Sequence, residues 1–468
     1  MRGERGGEDE KRKVYLRESM SSLLIKNGMI VTDAGEKSSD ILIRDGVVES
    51  LAPELSVEAD EIIDAENHLL FPGLIDCHVH FREPGYEEAE DMESGAESAR
   101  SGGVTTACDM PNTKPATSTR AALEDKRHRA MRVKNFDLRF FFNVSKTEDL
   151  RELEKIDPKD IAGVKLYFDH STGNLGADAE AIEGAFKLCG ERNIPVVVHA
   201  ENAAVNEAAR KKNTQSDIAA HSLNRPPESE MEATDEAIAL AKKHGAALHI
   251  AHVSTRGALN LIRDAKADRL PVTCEVAPHH LFLTIDDYNH LGTKGKMNPP
   301  LRTRDHVEAL WEGIGDRTVD VISTDHAPHT LEAKLVSPRV APSPAGVGRG
   351  AYRGALDAPS GVPGVETMLP LLLSCMEGGP EDAKGEIRPI GSTPETDIQP
   401  QDILRLCFTM PNRIFHLGKA GIAVGKPADL ILVNPSQSWK IHGKDLKSKC
   451  GWTPFEGWEV MGKVVRVF

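Results

Sequence analysis

The sequence predicts an α/β chain: a (β/α)8 barrel of the TIM type that carries a small β domain built from both termini. Three observations lead there. Eight short apolar runs alternate with helical stretches, two terminal segments share a strand-and-turn pattern, and nearly every apolar run ends on a residue able to bind metal or substrate. At 468 residues the chain also exceeds what one hydrophobic core usually supports, so a large domain plus a smaller one is expected.

Taking the elements in order, residues 1–20 are charged throughout and are read as a disordered tail. The segment 22–53, SLLIKNGMIVTDAGEKSSDILIRDGVVESLAP, alternates β-branched runs with Asn-Gly and Asp-Gly, which is hairpin chemistry. Beyond Gly421, GKPADLILVNPSQSWKI and WEVMGKVVRVF show the same short strands and turns. Residues 21–70 and 418–468 are therefore assigned to one composite β domain, with the barrel, 71–417, inserted between them.

The eight barrel-strand candidates are 74–80, 104–110, 138–144, 161–168, 194–200, 247–253, 270–276 and 319–326. Amphipathic helices are predicted between several of them, including 177–193 and 229–245, the second stopped by Gly245. Periodicity alone fits a doubly wound open sheet as well. The strand ends favour the barrel: His78 and His80, Asp109, Lys165, His199, His252, Glu275 and Asp325 would converge on its C-terminal face, whereas an open sheet would scatter them. After the eighth strand, 332–364 and 377–400 are rich in Pro, Gly and Ala and are read as loops, the first placed to cover the mouth of the site.

A net charge of −15 offers no basic excess for nucleic acid or anionic membrane. The seven scattered cysteines contain no Cys-x-x-Cys, and fit small buried thiols in a reducing compartment. With neither a signal peptide nor a membrane-length apolar run, the expected location is the cytoplasm and the expected partner a small molecule. A homo-oligomer is compatible with the sequence and is not specified by it.

His78 and His80 lie two apart on a strand, so its period of two points both to one side. Such a pair is weak evidence alone, but His199 and His252 each close an apolar strand, where a solvated histidine would be out of place. Asp325 ends the eighth strand, as a metal ligand or as a helix cap. Lys165 would be repelled among cations; with a lowered pKa its neutral amine could react with carbon dioxide to give a carbamate that bridges two metals, or else the side chain snorkels outward. Four imidazoles, a carboxylate and a carbamate suit two metal ions, zinc best and other divalent ions also, and amide hydrolysis is the natural use of such a pair. On the substrate side, Arg82, Asn112, Asn298 and His329 fit a small carboxylated ligand, with surface ion pairing the plainer reading for Arg82.

Taken together, FPGLIDCHVHFREPG, GGVTTACDMPNTKPAT, GVKLYF, VVVHAE, HIAHVST, VTCEVAPHHLFLT, KMNPPLR, STDHAPH and PSGVPGVET resemble the dihydroorotases of the amidohydrolase superfamily, in order from about residue 22 to 468. The resemblance implies reversible interconversion of N-carbamoyl-L-aspartate and L-dihydroorotate in pyrimidine synthesis. It implies that His78 and His80 hold one metal and His199 and His252 the other, with carbamylated Lys165 as bridge. Asp325 would bind metal and shuttle the proton; Arg82, Asn112 and His329 would hold the substrate carboxylate and Asn298 its ring. GVKLYF is similar to the lysine-bearing branch found in the animal multifunctional pyrimidine protein, and Glu275 is expected near the site. The 332–364 insertion departs from the family's short segment. The near alternatives, allantoinase and dihydropyrimidinase, share the metal set, but dihydropyrimidinases generally lack the Arg82 and Asn112 pair. A catalytically dead barrel, the alternative from another class, would be expected to lose ligands that this chain keeps.

Overall fold

A computed structural model describes residues 21–169, 175–335, 354–376 and 398–468. The charged stretch 1–20, the centre of the 332–364 insertion and most of 377–400 lie outside the described residues.

The terminal segments pair in one mostly antiparallel sheet of seven strands. It contains Ser22–Thr32 (β1), Gly35–Arg44 (β2), Val47–Ala52 (β3), Glu61–Asp64 (β4) and Leu69–Pro72 (β5) from the N-terminal side. Leu430–Lys440 (β14) and Glu459–Val467 (β15) complete it, in the order β15-β14-β5-β1-β2-β3 with β4 beside β1. The two segments therefore build one domain. Asp45-Gly46 makes the β2–β3 turn as expected, with φ of 51° and 75°. Asn27-Gly28 does not turn the chain: Asn27 (φ 59°) sits inside β1, where the register with β2 shifts between Ile25 and Gly28, so the pair forms a bulge. The β1–β2 turn falls instead at Asp33 and Ala34.

Strand β14 shows how the two layers share a wall. Its alternate residues Leu430 and Leu432 enter the small core with Ile25, Ile41 and Leu70, while Ile431 and Val433 enter the large barrel core. At Gly73 the chain passes from the sheet into the barrel. A Cβ there would stand 2.0 Å from Thr105 Oγ1 and 2.3 Å from Asp429 Oδ1, so only glycine fits this junction.

All eight predicted barrel strands are present: Leu74–Val79 (β6), Val104–Asp109 (β7), Asp137–Asn143 (β8), Gly163–Tyr167 (β9), Val196–His199 (β10), Leu248–Ile250 (β11), Val272–Val276 (β12) and Val321–Ile322 (β13). They are parallel and adjacent in sequence order, and the ring closes where Val79 bridges His326 and His80 N–H donates to His326 O at 2.8 Å. The open-sheet alternative is thereby removed. The predicted helices are found at Ala179–Arg192 and Pro227–His244, stopped by Asn193 (φ 53°) and Gly245 (φ 66°) in the left-handed conformation. All seven cysteines are buried and unbridged, as expected of small hydrophobes.

β11 and β13 stop three and four residues short of their predicted ends, whereas the other six barrel strands stop at most one short, and the reason is local. His252 (φ 34°) and Asp325 (φ 47°) both have positive φ, which ends strand geometry just before or at the functional side chain.

Candidate active site

All ten predicted site residues, His78, His80, Arg82, Asn112, Lys165, His199, His252, Asn298, Asp325 and His329, line one cavity of about 640 Å³ at the C-terminal end of the barrel. Backbone geometry puts them there in different ways. His78 is in β6 and His80 one residue past it, whereas Arg82 reaches the cavity from a left-handed backbone (φ 63°) and not by strand alternation.

The four imidazoles form a chain. Ring centroids lie 5.3 Å apart for His80 and His78, 5.2 Å for His78 and His252, and 4.8 Å for His252 and His199. Asp325 Oδ1 stands 2.9 Å from His80 Nε2 and 3.4 Å from His78 Nε2, so His78, His80 and Asp325 present their ligand atoms to one point. On the other side, His199 Nδ1 faces His252 Nε2 at 3.0 Å. Each group is fixed from behind. His78 Nδ1 contacts the Glu275 carboxylate, which His249 Nε2 (3.2 Å), Cys77 Sγ (3.4 Å) and the His252 amide (3.2 Å) also meet. His199 Nε2 is held by Glu201 at 2.8 Å, and Glu201 is gripped by Arg225, which also binds Asp169. His80 Nδ1 meets Asn112 Oδ1 at 2.6 Å.

Lys165 is fully buried in this ring, and its Nζ has no hydrogen-bond partner. Burial pushes its pKa down to about 8, against the upward pull of Glu275 and Asp325. The lysine is thus destabilised as expected, but by desolvation, since carboxylates and not cations dominate its surroundings. Burial likewise takes His80 down to about 4 and His252 well below the ordinary histidine value, which favours the neutral, metal-binding imidazole. For Asp325, burial acts upward but His78 and His80 outweigh it and hold the carboxyl well below its usual range. Clustered imidazoles, an ionised carboxylate and an orphaned buried amine are a donor set that a metal pair fits.

Arg82 is buried, and among the described residues no carboxylate lies within ion-pair distance of it. Its Nε donates to Pro328 O at 2.8 Å, and one amino group stands 3.0 Å from His329 Nε2. Asn298 Oδ1 accepts from Ser360 Oγ at 3.1 Å on the same wall.

The sequence matches the amidohydrolase family over residues 69–468. The chain belongs to the amidohydrolase family. Dihydroorotases are among the relatives of this amidohydrolase: that of Halobacterium salinarum is 39% identical, covering 88% of this chain and 87% of its own. That of Bacillus cytotoxicus is 34% identical over 94% and 95%, and that of Methanosarcina acetivorans 33% over 94% and 90%. Among solved structures, the L-hydantoinase (dihydropyrimidinase) of Arthrobacter aurescens superposes with a TM-score of 0.83 at 27% identity, covering 96% of this chain and 94% of its own. The dihydropyrimidinase of Brevibacillus agri gives 0.81, also at 27%, over 96% and 93%. The amidohydrolase is an enzyme, and no helix among its described residues is long and apolar enough to cross a membrane.

Several residues around the site had no role in the sequence reading. Glu201 and Tyr167 follow His199 and Lys165 by two, so the period of two could have placed each beside its neighbour, Tyr167 on the cavity and Glu201 against the His199 ring. Arg225 and Asp169 carried no such signal. Asp109, counted among the strand ends, binds Lys126 and the Phe81 amide (2.8 Å) and is structural. Asp76 accepts from Ser323 Oγ (2.6 Å), Thr324 N (3.1 Å) and His78 N (3.2 Å), tying β6 to the end of β13, while Glu83 pairs with Arg129 and Arg132.

Proposed function

We propose that this amidohydrolase is a dihydroorotase, interconverting N-carbamoyl-L-aspartate and L-dihydroorotate in pyrimidine synthesis. The observation that carries the reading is Arg82: a buried guanidinium with no carboxylate partner among the described residues, in the same cavity as the imidazole and aspartate cluster. Burying such a charge is costly unless an anion completes it, so the cavity is built for a ligand that brings its own carboxylate.

The donor set supports two zinc ions: His78 and His80 would hold one and His199 and His252 the other, with Asp325 on the first and carbamylated Lys165 between them. When bound, the pair would supply a water of lowered pKa and a polarised amide carbonyl. The chain's own groups do the rest. Arg82 and Asn112 orient the carboxylate, with His329 set beside the Arg82 guanidinium, and Asn298 steadies the ring. Asp325, ionised at the outset, takes a proton from the attacking water and delivers it to the ring nitrogen as the amide bond breaks; cyclisation reverses the transfer. The outer carboxylates Glu275 and Glu201 hold the tautomers of His78 and His199.

The structural neighbours favour a second reading, a dihydropyrimidinase or hydantoinase acting on a neutral cyclic amide. A neutral ring leaves Arg82 without an anion, which places this reading second. Purified protein assayed for L-dihydroorotate hydrolysis, with and without a chelator, tests the proposal. Turnover lost to the chelator and restored by zinc is expected; absence of metal-dependent turnover would overturn it.

A further inference from the structure

The wall that carries the carboxylate-binding residues is fastened by two lysines. Lys334 is fully buried, and its Nζ donates to three backbone carbonyls, Lys296 O (2.8 Å), Pro359 O (3.0 Å) and Gly361 O (3.0 Å). Lys296 in turn sends its Nζ to Leu356 O and, at 2.7 Å, to Ala358 O, while its own carbonyl accepts from Gly361 N at 3.0 Å. No carboxylate among the described residues lies within ion-pair distance of either ammonium. Burial, Lys296 and Arg82 all press the Lys334 pKa down, yet three carbonyls can be served by three N–H groups only in the ammonium form. A buried lysine kept without a counter-ion needs a reason, and this one, with Lys296, holds the strip by four of its carbonyls, those of Leu356, Ala358, Pro359 and Gly361.

What the fastened strip does can be followed atom by atom. Ser360 O stands 2.9 Å from His329 Nε2, the same nitrogen that lies 3.0 Å from the Arg82 amino group. One ring nitrogen cannot donate to the first and accept from the second. Burial, followed by the Arg82 and Lys334 charges, lowers the His329 pKa to about 2, so the ring is neutral and carries one proton. The Ser360 carbonyl can only accept and has no other donor among the described residues, whereas the Arg82 amino group can turn to a ligand anion, which assigns that proton to Nε2. The Arg82 amino group then has no acceptor in His329, and its N–H groups remain unspent on the cavity side.

We propose that Lys334 is a positioning residue for substrate specificity: by pinning the strip Leu356–Gly361 it holds the Ser360 carbonyl that sets the His329 tautomer and leaves Arg82 free for the substrate carboxylate. This rests on the reading of the cavity as a dihydroorotate site. The role belongs to ligand recognition and not to chemistry, so kinetics and structure should separate.

The test is Lys334→Met, which keeps the stem and removes all three donors. The KM for L-dihydroorotate should rise by about tenfold, the value of one lost charge-assisted hydrogen bond, with kcat changed by less than about threefold. Bound metal per chain should stay as in wild type, and amide exchange in residues 354–361 should quicken while that of β6 does not. Lys296→Met, which frees Leu356 and Ala358, should give the same KM-only effect and serves if the first variant does not fold. An unchanged KM despite faster exchange of the strip overturns the proposal, as does a parallel fall of kcat, metal content and melting temperature. If wild-type protein does not turn over dihydroorotate, the functional reading fails separately; the fastening is then judged on exchange alone, and unchanged protection of 354–361 in Lys334→Met removes it.

Discussion

Replacing Arg82 with Met tests the substrate assignment at the one side chain that separates a carboxylated ring from a neutral one. Methionine keeps most of the apolar stem and its packing while deleting the charge and every N–H. The guanidinium is buried and lacks a carboxylate of its own among the described residues, so its pairing with a substrate carboxylate would form with both partners largely desolvated. Removing one member of such a pair costs about 2–5 kcal/mol. Taking about 3 kcal/mol at 1.4 kcal/mol per decade gives a loss of roughly a hundredfold in kcat/KM. The carboxylate does not react, so the contact is equal in ground and transition states and the loss should fall on KM, leaving kcat within about threefold. The lost donation to Pro328 O affects free and bound enzyme alike and should appear in the melting curve instead. Steady-state hydrolysis of L-dihydroorotate measures the effect, with dihydrouracil, the same ring without the carboxylate, as control. A KM within about twofold of wild type, or wild-type dihydrouracil turnover equal to that of dihydroorotate, would refute the reasoning.

Other perturbations follow from the same geometry. Because Lys165 is lowered to about 8, about one-tenth of it is neutral at pH 7, against well under roughly one in a thousand for an ordinary lysine. Carbamate formation needs the neutral amine and carbon dioxide, so reconstitution of metal-free protein with zinc at constant dissolved carbon dioxide should quicken about tenfold per pH unit below pH 8 and level off above it; a flat profile would exclude Lys165 as the titrating group. Glu275→Gln leaves His78 without its carboxylate and should weaken zinc binding by about 10–100-fold, read by competition with a chromogenic chelator. Asp76→Ala strips the acceptor from Ser323, Thr324 and His78 at the closure of the barrel, and with about 1–3 kcal/mol for each buried donor left unpaired the melting temperature should fall by roughly 5–10 °C.

Much of this site is legible because it is written locally. A barrel strand that ends on His, Lys or Asp announces its own contribution, and the fold gathers the ends without further instruction. Thus His78, His80, Lys165, His199, His252 and Asp325 could be found one at a time. The groups that hold them could not, because those pairings cross the chain: Glu275 reaches His78 over 197 positions, and Arg225 reaches Glu201 from a loop with no strand pattern of its own. Turn chemistry failed in the opposite way. Asn27-Gly28 and Asp45-Gly46 both supply positive φ, but only tertiary pairing decides whether that makes a turn or a bulge.

The strained positions show why the site and the scaffold could be read separately. Arg82, His252 and Asp325 all have positive φ, a conformation that costs a non-glycine residue roughly 1–3 kcal/mol and persists only where its surroundings over-determine it. In each case the restraint is visible: Arg82 Nε donates to Pro328 O, the His252 amide to Glu275, and Thr324, just before Asp325, gives its N–H and hydroxyl to Asp76. The restraining groups come from elsewhere in the chain: the loop after β13 for Arg82, β12 for His252 and β6 for Asp325. The local sequence around Asp325 therefore cannot hold its own backbone; β6 holds it, through Asp76. Closing the barrel and aiming the Asp325 carboxylate into the cavity are accordingly one event, so a lesion at Asp76 should disturb Asp325 before it disturbs the apolar strands beneath.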